Sequence, residues 1–146
     1  MKEVDENDKP LSFDAWKETV HASIRHDPLW NFQVYPKTLF VYDLAWEDCE
    51  YLLKDIRGKK VAEQLIRSVG SISANIEEGY GRGYGKDYGY HLRIAIAEAR
   101  ESRGWYWKGR KLLPPEVVDH RMKLLSEIIA MLAPNLDRQR NFKQGQ

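Results

Sequence analysis

A chain of 146 residues that is 42% hydrophobic and 31% charged has the size and composition of one soluble domain built around a single core. It holds no apolar run near the roughly 20 residues of a membrane span, and its charged start is no secretory signal. The single Cys49 excludes an intramolecular disulfide and fits a reducing compartment, so a cytoplasmic location without membrane contact is expected. Net charge is only +1, but residues 1–57 carry 7 basic and 12 acidic side chains and residues 58–146 carry 16 and 10. That split excludes a uniformly basic nucleic-acid coat and leaves a local basic face or head-to-tail contact between subunits.

Residues 1–38 read as an N-terminal extension. Met1 to Pro10 is polar, and Phe13, Trp16, Val20 and Ile24 then recur as one short amphipathic helix, with Ser12 or Asp14 near its start and Pro28 ending it. Leu29 to Lys37, rich in aromatic residues, reads as an ordered loop. The extension offers Phe13, Trp16, Trp30, Phe32 and Tyr35 for docking on a neighbouring subunit or a protein client.

Residues 39–134 read as a four-helix bundle, so the predicted fold is all-α, up-down, with an added short N-terminal helix. Tyr42, Ala45, Trp46, Cys49, Leu52, Leu53 and Ile56 mark the first bundle helix, with Gly58 as its stop. The second runs over about Lys60 to Tyr80, with Ala62, Leu65, Ile66, Val69, Ile72, Ser73 and Ile76 on its buried stripe. Glycines 79, 81, 83, 85 and 89 follow, with Tyr80, Tyr84, Tyr88 and Tyr90 available to hold the connection. The third helix starts near Lys86, buries Tyr88, Leu92, Ala95, Ala99 and Ser102, and reaches about Leu112. The fourth starts at Pro114-Pro115-Glu116 and is expected to end at Pro134, with residues 135–146 a polar tail. Its apolar residues come in pairs, Leu124-Leu125, Ile128-Ile129 and Met131-Leu132, more than one bundle face requires. Leu124, Ile128 and Met131 are therefore candidate homo-oligomer contacts, the extension being the other possible cover.

Five patterns bear on chemistry. The glycines of the connector follow a helix rather than a strand, and Asp87 stands where a phosphate-binding loop needs Ser or Thr, so the connector reads as a turn. Glu18-Thr-Val-His21 is the sole Glu-x-x-His, too little for a di-metal bundle, and no metal or other cofactor is expected. Cys49 sits on an apolar stripe, the place of an inert core cysteine, so no nucleophile is visible. Arg67, Ser71, Asn75 and Glu78 share a polar sector, with Glu101 a partner for Arg67. They read as a structural or interface layer, as a solvated face, or as an enzyme site with Glu78 as base and Asn75 as oxyanion donor. Finally, Arg100 to Lys111 interleaves Arg100, Arg103, Lys108, Arg110 and Lys111 with Trp105, Tyr106 and Trp107, a pattern able to grip phosphates and stack on bases. The bland alternative is a core aromatic cluster beside cations that favour a helix C-terminus.

The residues Gln64, Leu65, Arg67, Ser68, Ser71, Ile72, Ala74, Asn75, Ile76, Glu78, Gly79, Tyr80, Gly81 and Arg82, with Leu92, Ile94, Ala95 and Glu101 downstream, resemble the signature of a bacterial four-helix-bundle family. That family includes the proteins encoded in ribosomal RNA intervening sequences and the accessory proteins of diversity-generating retroelements. The resemblance covers about residues 39–132. It implies a non-enzymatic homo-oligomer, commonly a pentameric ring, acting as an adaptor or accessory factor that binds RNA or DNA. A protein-binding scaffold without nucleic acid is the alternative.

Overall fold

The computed structural model describes residues 11–83 and 85–140. The expectations for Met1 to Pro10, Tyr84 and Asn141 to Gln146 lie outside the described residues. Two short helices, α1 (Phe13–Lys17) and α2 (Ala22–Arg25), and a 3₁₀ turn (Pro28–Asn31) precede four long helices: α3 (Val34–Leu52), α4 (Ile56–Gly81), α5 (Lys86–Lys108) and α6 (Pro115–Arg140). No strand occurs among the described residues, and no helix is long and apolar enough to cross a membrane. In the bundle α3 packs on α4, α4 on α5, α5 on α6 and α6 back on α3, so the α3–α4 side lies opposite the α5–α6 side. The core between them is filled by such fully buried residues as Leu52, Leu65, Ile72, Leu92, Leu125 and Leu132.

The expected single N-terminal helix is broken in two. Ser12 caps α1 by accepting from the Ala15 N–H at 3.2 Å. After α1 the Thr19 hydroxyl donates back to the Trp16 carbonyl at 2.6 Å, and the His21 ring accepts from the Ser23 N–H at 3.1 Å, which starts α2. Side chains that bond their own backbone offer it an alternative to helix continuation. The segment then folds back as a strap on α3. Trp16 is buried 5.2 Å from the Phe40 ring and donates its indole N–H to Asp43 at 2.8 Å. Lys37 lies over the Phe13 ring at 4.8 Å and pairs with Glu127 of α6 at 2.9 Å. Trp16 and Tyr35 are buried, and Phe13, Trp30 and Phe32 pack against the core. The aromatic residues expected to reach a client are thus engaged by the chain itself.

Four boundaries differ from the sequence expectation. The helix α5 ends at Lys108 rather than about Leu112, since Gly109 follows it and packs closely on Leu52 and Val61. The aromatic loop is shorter, because α3 already begins at Val34 with Pro36 in its first turn, where a missing N–H costs nothing; the expected limit at residue 38 falls inside this helix. Gly58 is not a stop but lies in the first turn of α4, which Asp55 caps by accepting from the Arg57 N–H at 2.8 Å. A Cβ on Gly58 would stand 2.0 Å from the Leu52 carbonyl oxygen, so glycine is required there for close approach. Pro134 does not end α6, which runs on to Arg140. One turn before it the Met131 carbonyl accepts from the Asn135 side chain at 2.9 Å, and Leu136 is buried beyond it. A side-chain donor and an apolar anchor carry the helix through the proline.

A further correction concerns assembly. Leu124 and Ile128, expected to face another subunit, are buried in the core of their own chain, and Met131 is half-buried against it. The wide apolar face of α6 is absorbed by α3 and α5, which the pairing pattern alone could not distinguish from a partner.

Candidate interaction surfaces

The polar stripe of α4 splits into separate arrangements. Arg67 is exposed; it pairs with Glu101 as anticipated, with Glu98 at 3.4 Å, and with Gln64 at 3.2 Å. Burial, and then the Glu101 carboxyl beside it, raise the Glu98 pKa above the usual carboxylate value. Asn75 donates to the Ser71 carbonyl at 2.8 Å and meets the His91 ring of α5 at 3.2 Å. Glu78 is turned to solvent, where it pairs with Arg82 at 3.2 Å. The stripe is therefore a set of ties from α4 to α5 plus one local pair. Deeper in the same seam the Ser102 hydroxyl donates to the Ser68 hydroxyl at 2.9 Å, both fully buried.

Sequence reasoning missed the main polar cluster, because its members come from three helices. Asp48 of α3, 3% exposed, and Arg121 of α6, 6% exposed, form a two-pronged pair: Nε donates to Oδ2 at 2.8 Å and Nη2 to Oδ1 at 3.1 Å. Tyr106 of α5 donates its hydroxyl to the same Oδ2 at 2.7 Å. Burial, and then the Asp48 charge, push the Tyr106 pKa well above its ordinary value. The His120 ring meets Arg121 Nη1 at 2.7 Å, and burial with the guanidinium charge lowers its pKa. Burial and the neighbouring Asp48 push the Cys49 thiol up to about 11, away from the thiolate that a nucleophile needs. The one available signal was a Tyr, an Asp and an Arg, each at a core-facing helical position.

The basic and aromatic segment of α5 divides between two faces. Arg100, Arg103 and Trp107 fall within about 60° of one another on the α6 side at 100° per residue, and Arg103 donates to Ser126 of α6 at 3.0 Å. Trp107 is 52% exposed, and the Arg110 guanidinium lies 4.2 Å from its ring centre. Beside them opens a groove of about 600 Å³ floored by Pro115, Val118 and Met122. Trp105 and Lys108 lie on the other side, with Lys108 over the Trp105 ring at 4.2 Å. The Trp105 indole N–H is buried without a hydrogen-bond partner. Lys111 is exposed in the turn that follows, and the candidates do not form one patch.

On the opposite, α3–α4, side a different surface appears. Trp46 is 61% exposed, 6.5 Å from the half-buried Tyr42 ring, and Leu53 continues the same flank one side of α3 further on. Gly70 of α4 admits the Tyr42 ring, since a Cβ there would meet it at 3.2 Å. Asp43, Glu47 and Glu50 are exposed on the adjoining outward face of α3, and the one cation of that helix, Lys37, is half-buried and paired with Glu127.

Among the described residues no three His, Cys, Asp or Glu side chains gather as a metal site. No curated protein matches the chain. A crystal structure of a protein of unknown function from the S23 ribosomal protein family of Bacteroides thetaiotaomicron is similar in fold, with a TM-score of 0.65 and 24% identity over 70% of this chain and 97% of that one. The family model described as 23S rRNA-intervening sequence protein matches residues 31–134, which leaves the strap of α1 and α2 outside it. The chain therefore belongs to the 23S rRNA-intervening sequence protein family.

Proposed function

We propose that the chain is a non-enzymatic, self-assembling accessory subunit, a homo-oligomeric adaptor that carries nucleic acid within a ribonucleoprotein or retroelement-type complex. The observation that carries the self-assembly is the pair of opposed, complementary sides. An aromatic flank with Trp46 beside Asp43, Glu47 and Glu50 faces one way. A groove lined by Trp107 and Arg110, with Arg103 bonded to its wall residue Ser126 and Arg100 exposed one turn before, faces the other. Two exposed tryptophans are a large apolar area for a soluble chain to leave uncovered. Like charges disfavour pairing either side with itself, so the contact is heterologous, the first side of one copy against the second of the next.

Charge reversal tests this directly. Glu47→Lys with Glu50→Lys makes both sides basic, and Arg100→Glu with Arg103→Glu makes both acidic. Each variant alone is expected to sediment as a monomer, and the two mixed are expected to assemble again. A wild type that is monomeric at micromolar concentration sinks self-assembly. A wild type whose assembly both reversals leave untouched sinks this pairing.

A further inference from the structure

The two turns at one end of the bundle lie against each other. A Cβ on Gly58, in the first turn of α4, would stand 2.7 Å from Leu112, and one on Gly109, after α5, would meet Leu52 at 3.1 Å and Val61 at 3.2 Å. This packing gathers two short segments far apart in the chain, Leu53 to Val61 and Trp107 to Leu113. Between them they hold Lys54, Arg57, Lys59, Lys60, Lys108 and Lys111, all exposed, against the single carboxylate Asp55, while Arg110 belongs to the groove beside Trp107. Asp55 is already committed: it caps α4 and accepts from Arg57 Nε at 3.0 Å and Nη2 at 2.7 Å, and these bonds hold its carboxyl well below the usual range. Lys59, Lys60 and Lys111 have no ion pair among the described residues. A chain of net charge +1 thus concentrates its positive charge at one pole.

We infer that this pole binds the sugar-phosphate backbone of RNA without reading its sequence. Its cations stand at the ends of α3, α4 and α5, neighbouring helices about 10 Å apart, a width that more than one phosphate can occupy. Flexible lysines at helix ends suit phosphates, which are point-like acceptors, and contribute no base discrimination. An anionic bilayer presents similar charge, but stable docking there needs an apolar anchor as well. Leu53 and Ile56, exposed within the same pole, are two separate side chains rather than the continuous apolar face of a membrane-lying helix. The inference deepens the accessory-subunit reading and rests on it for one property. Assembly repeats the pole, and linked weak sites gain avidity of about 10² or more.

The test is fluorescence anisotropy with a labelled single-stranded RNA of about 20 nucleotides at about 50 mM salt, where phosphate contacts are least screened. Wild type is expected to bind, and binding is expected to fall steeply with salt. Lys54→Glu, Lys60→Glu and Lys111→Glu together are expected to weaken binding at least about tenfold and to flatten the salt slope by about 2 to 3, with helicity and sedimentation unchanged. Absence of wild-type binding, or equal affinity in the triple variant, overturns the pole as the site. So does binding to phosphatidylserine vesicles without binding to RNA. A monomeric wild type that still binds through the pole would remove the assembly reading and leave this one standing.

Discussion

Two arginine–carboxylate clusters tie this bundle together, and they differ in one physical respect. Arg121 meets Asp48 where both are nearly inaccessible to water. Arg67 meets Glu98 and Glu101 at the rim of α4 and α5, with its own side chain 47% exposed. In the interior, neither ion keeps its hydration, so each depends on the other and on the extra donor from Tyr106. At the rim, water and salt take over whatever the protein withdraws. The lesson is that equal geometry does not imply equal worth: the buried pair fixes how α3, α5 and α6 meet, whereas the exposed one trims a seam already made by apolar contacts.

The comparison breaks most visibly at Arg121. Arg121→Met leaves Asp48 charged, buried and short of two donors, and is expected to cost about 3–5 kcal/mol in chemical denaturation. Adding Asp48→Leu to it is expected to recover much of that loss, since replacing a whole buried pair by apolar groups is often neutral. A double variant no better than the single one would mean that the pair positions the helices beyond its own charge balance. Arg67→Ala is expected to cost less than about 1 kcal/mol, and that cost should shrink with added salt. A loss comparable with that of Arg121→Met would erase the distinction between the clusters.

The smallest expected effect sharpens the border between inside and outside. His120 has a lowered pKa in the folded chain, so between that value and the ordinary value near 6.5 the unfolded chain binds more protons. Stability should therefore fall slightly as pH drops through about 6.5, and His120→Gln should remove that slope. Denaturation curves at a series of pH values read the difference. An unchanged slope in the variant would assign it to another group.

Much of the local structure was legible in the sequence. The α4 stripe from Ala62 to Ile76, the start of α5 at Lys86 and the Ser12 cap each follow from residues close in the chain. The tie between Arg67 and Glu101 was also legible, since both stand on polar positions of neighbouring helices in the up-down order. What failed depended on distant partners. The width of the α6 apolar face could not say whether α3 or a second copy covers Leu124 and Ile128. The basic run after Arg100 could not show that α5 would turn Trp105 and Lys108 to one side and Arg103 and Trp107 to the other relative to α6.

By itself the sequence determined the four bundle helices, their order and the family, because helical periodicity and capping act over one or two turns. Only the tertiary structure decided where charge accumulates. Tyr106 and Arg121 lie 58 and 73 positions from Asp48 along the chain, and the basic pole joins two turns that the sequence keeps about fifty residues apart. The reason is range. Hydrogen-bonded helix geometry is set by neighbours in the chain, whereas Coulomb interaction and desolvation depend on distance in space and on the exclusion of water, and both are fixed only once the bundle has closed.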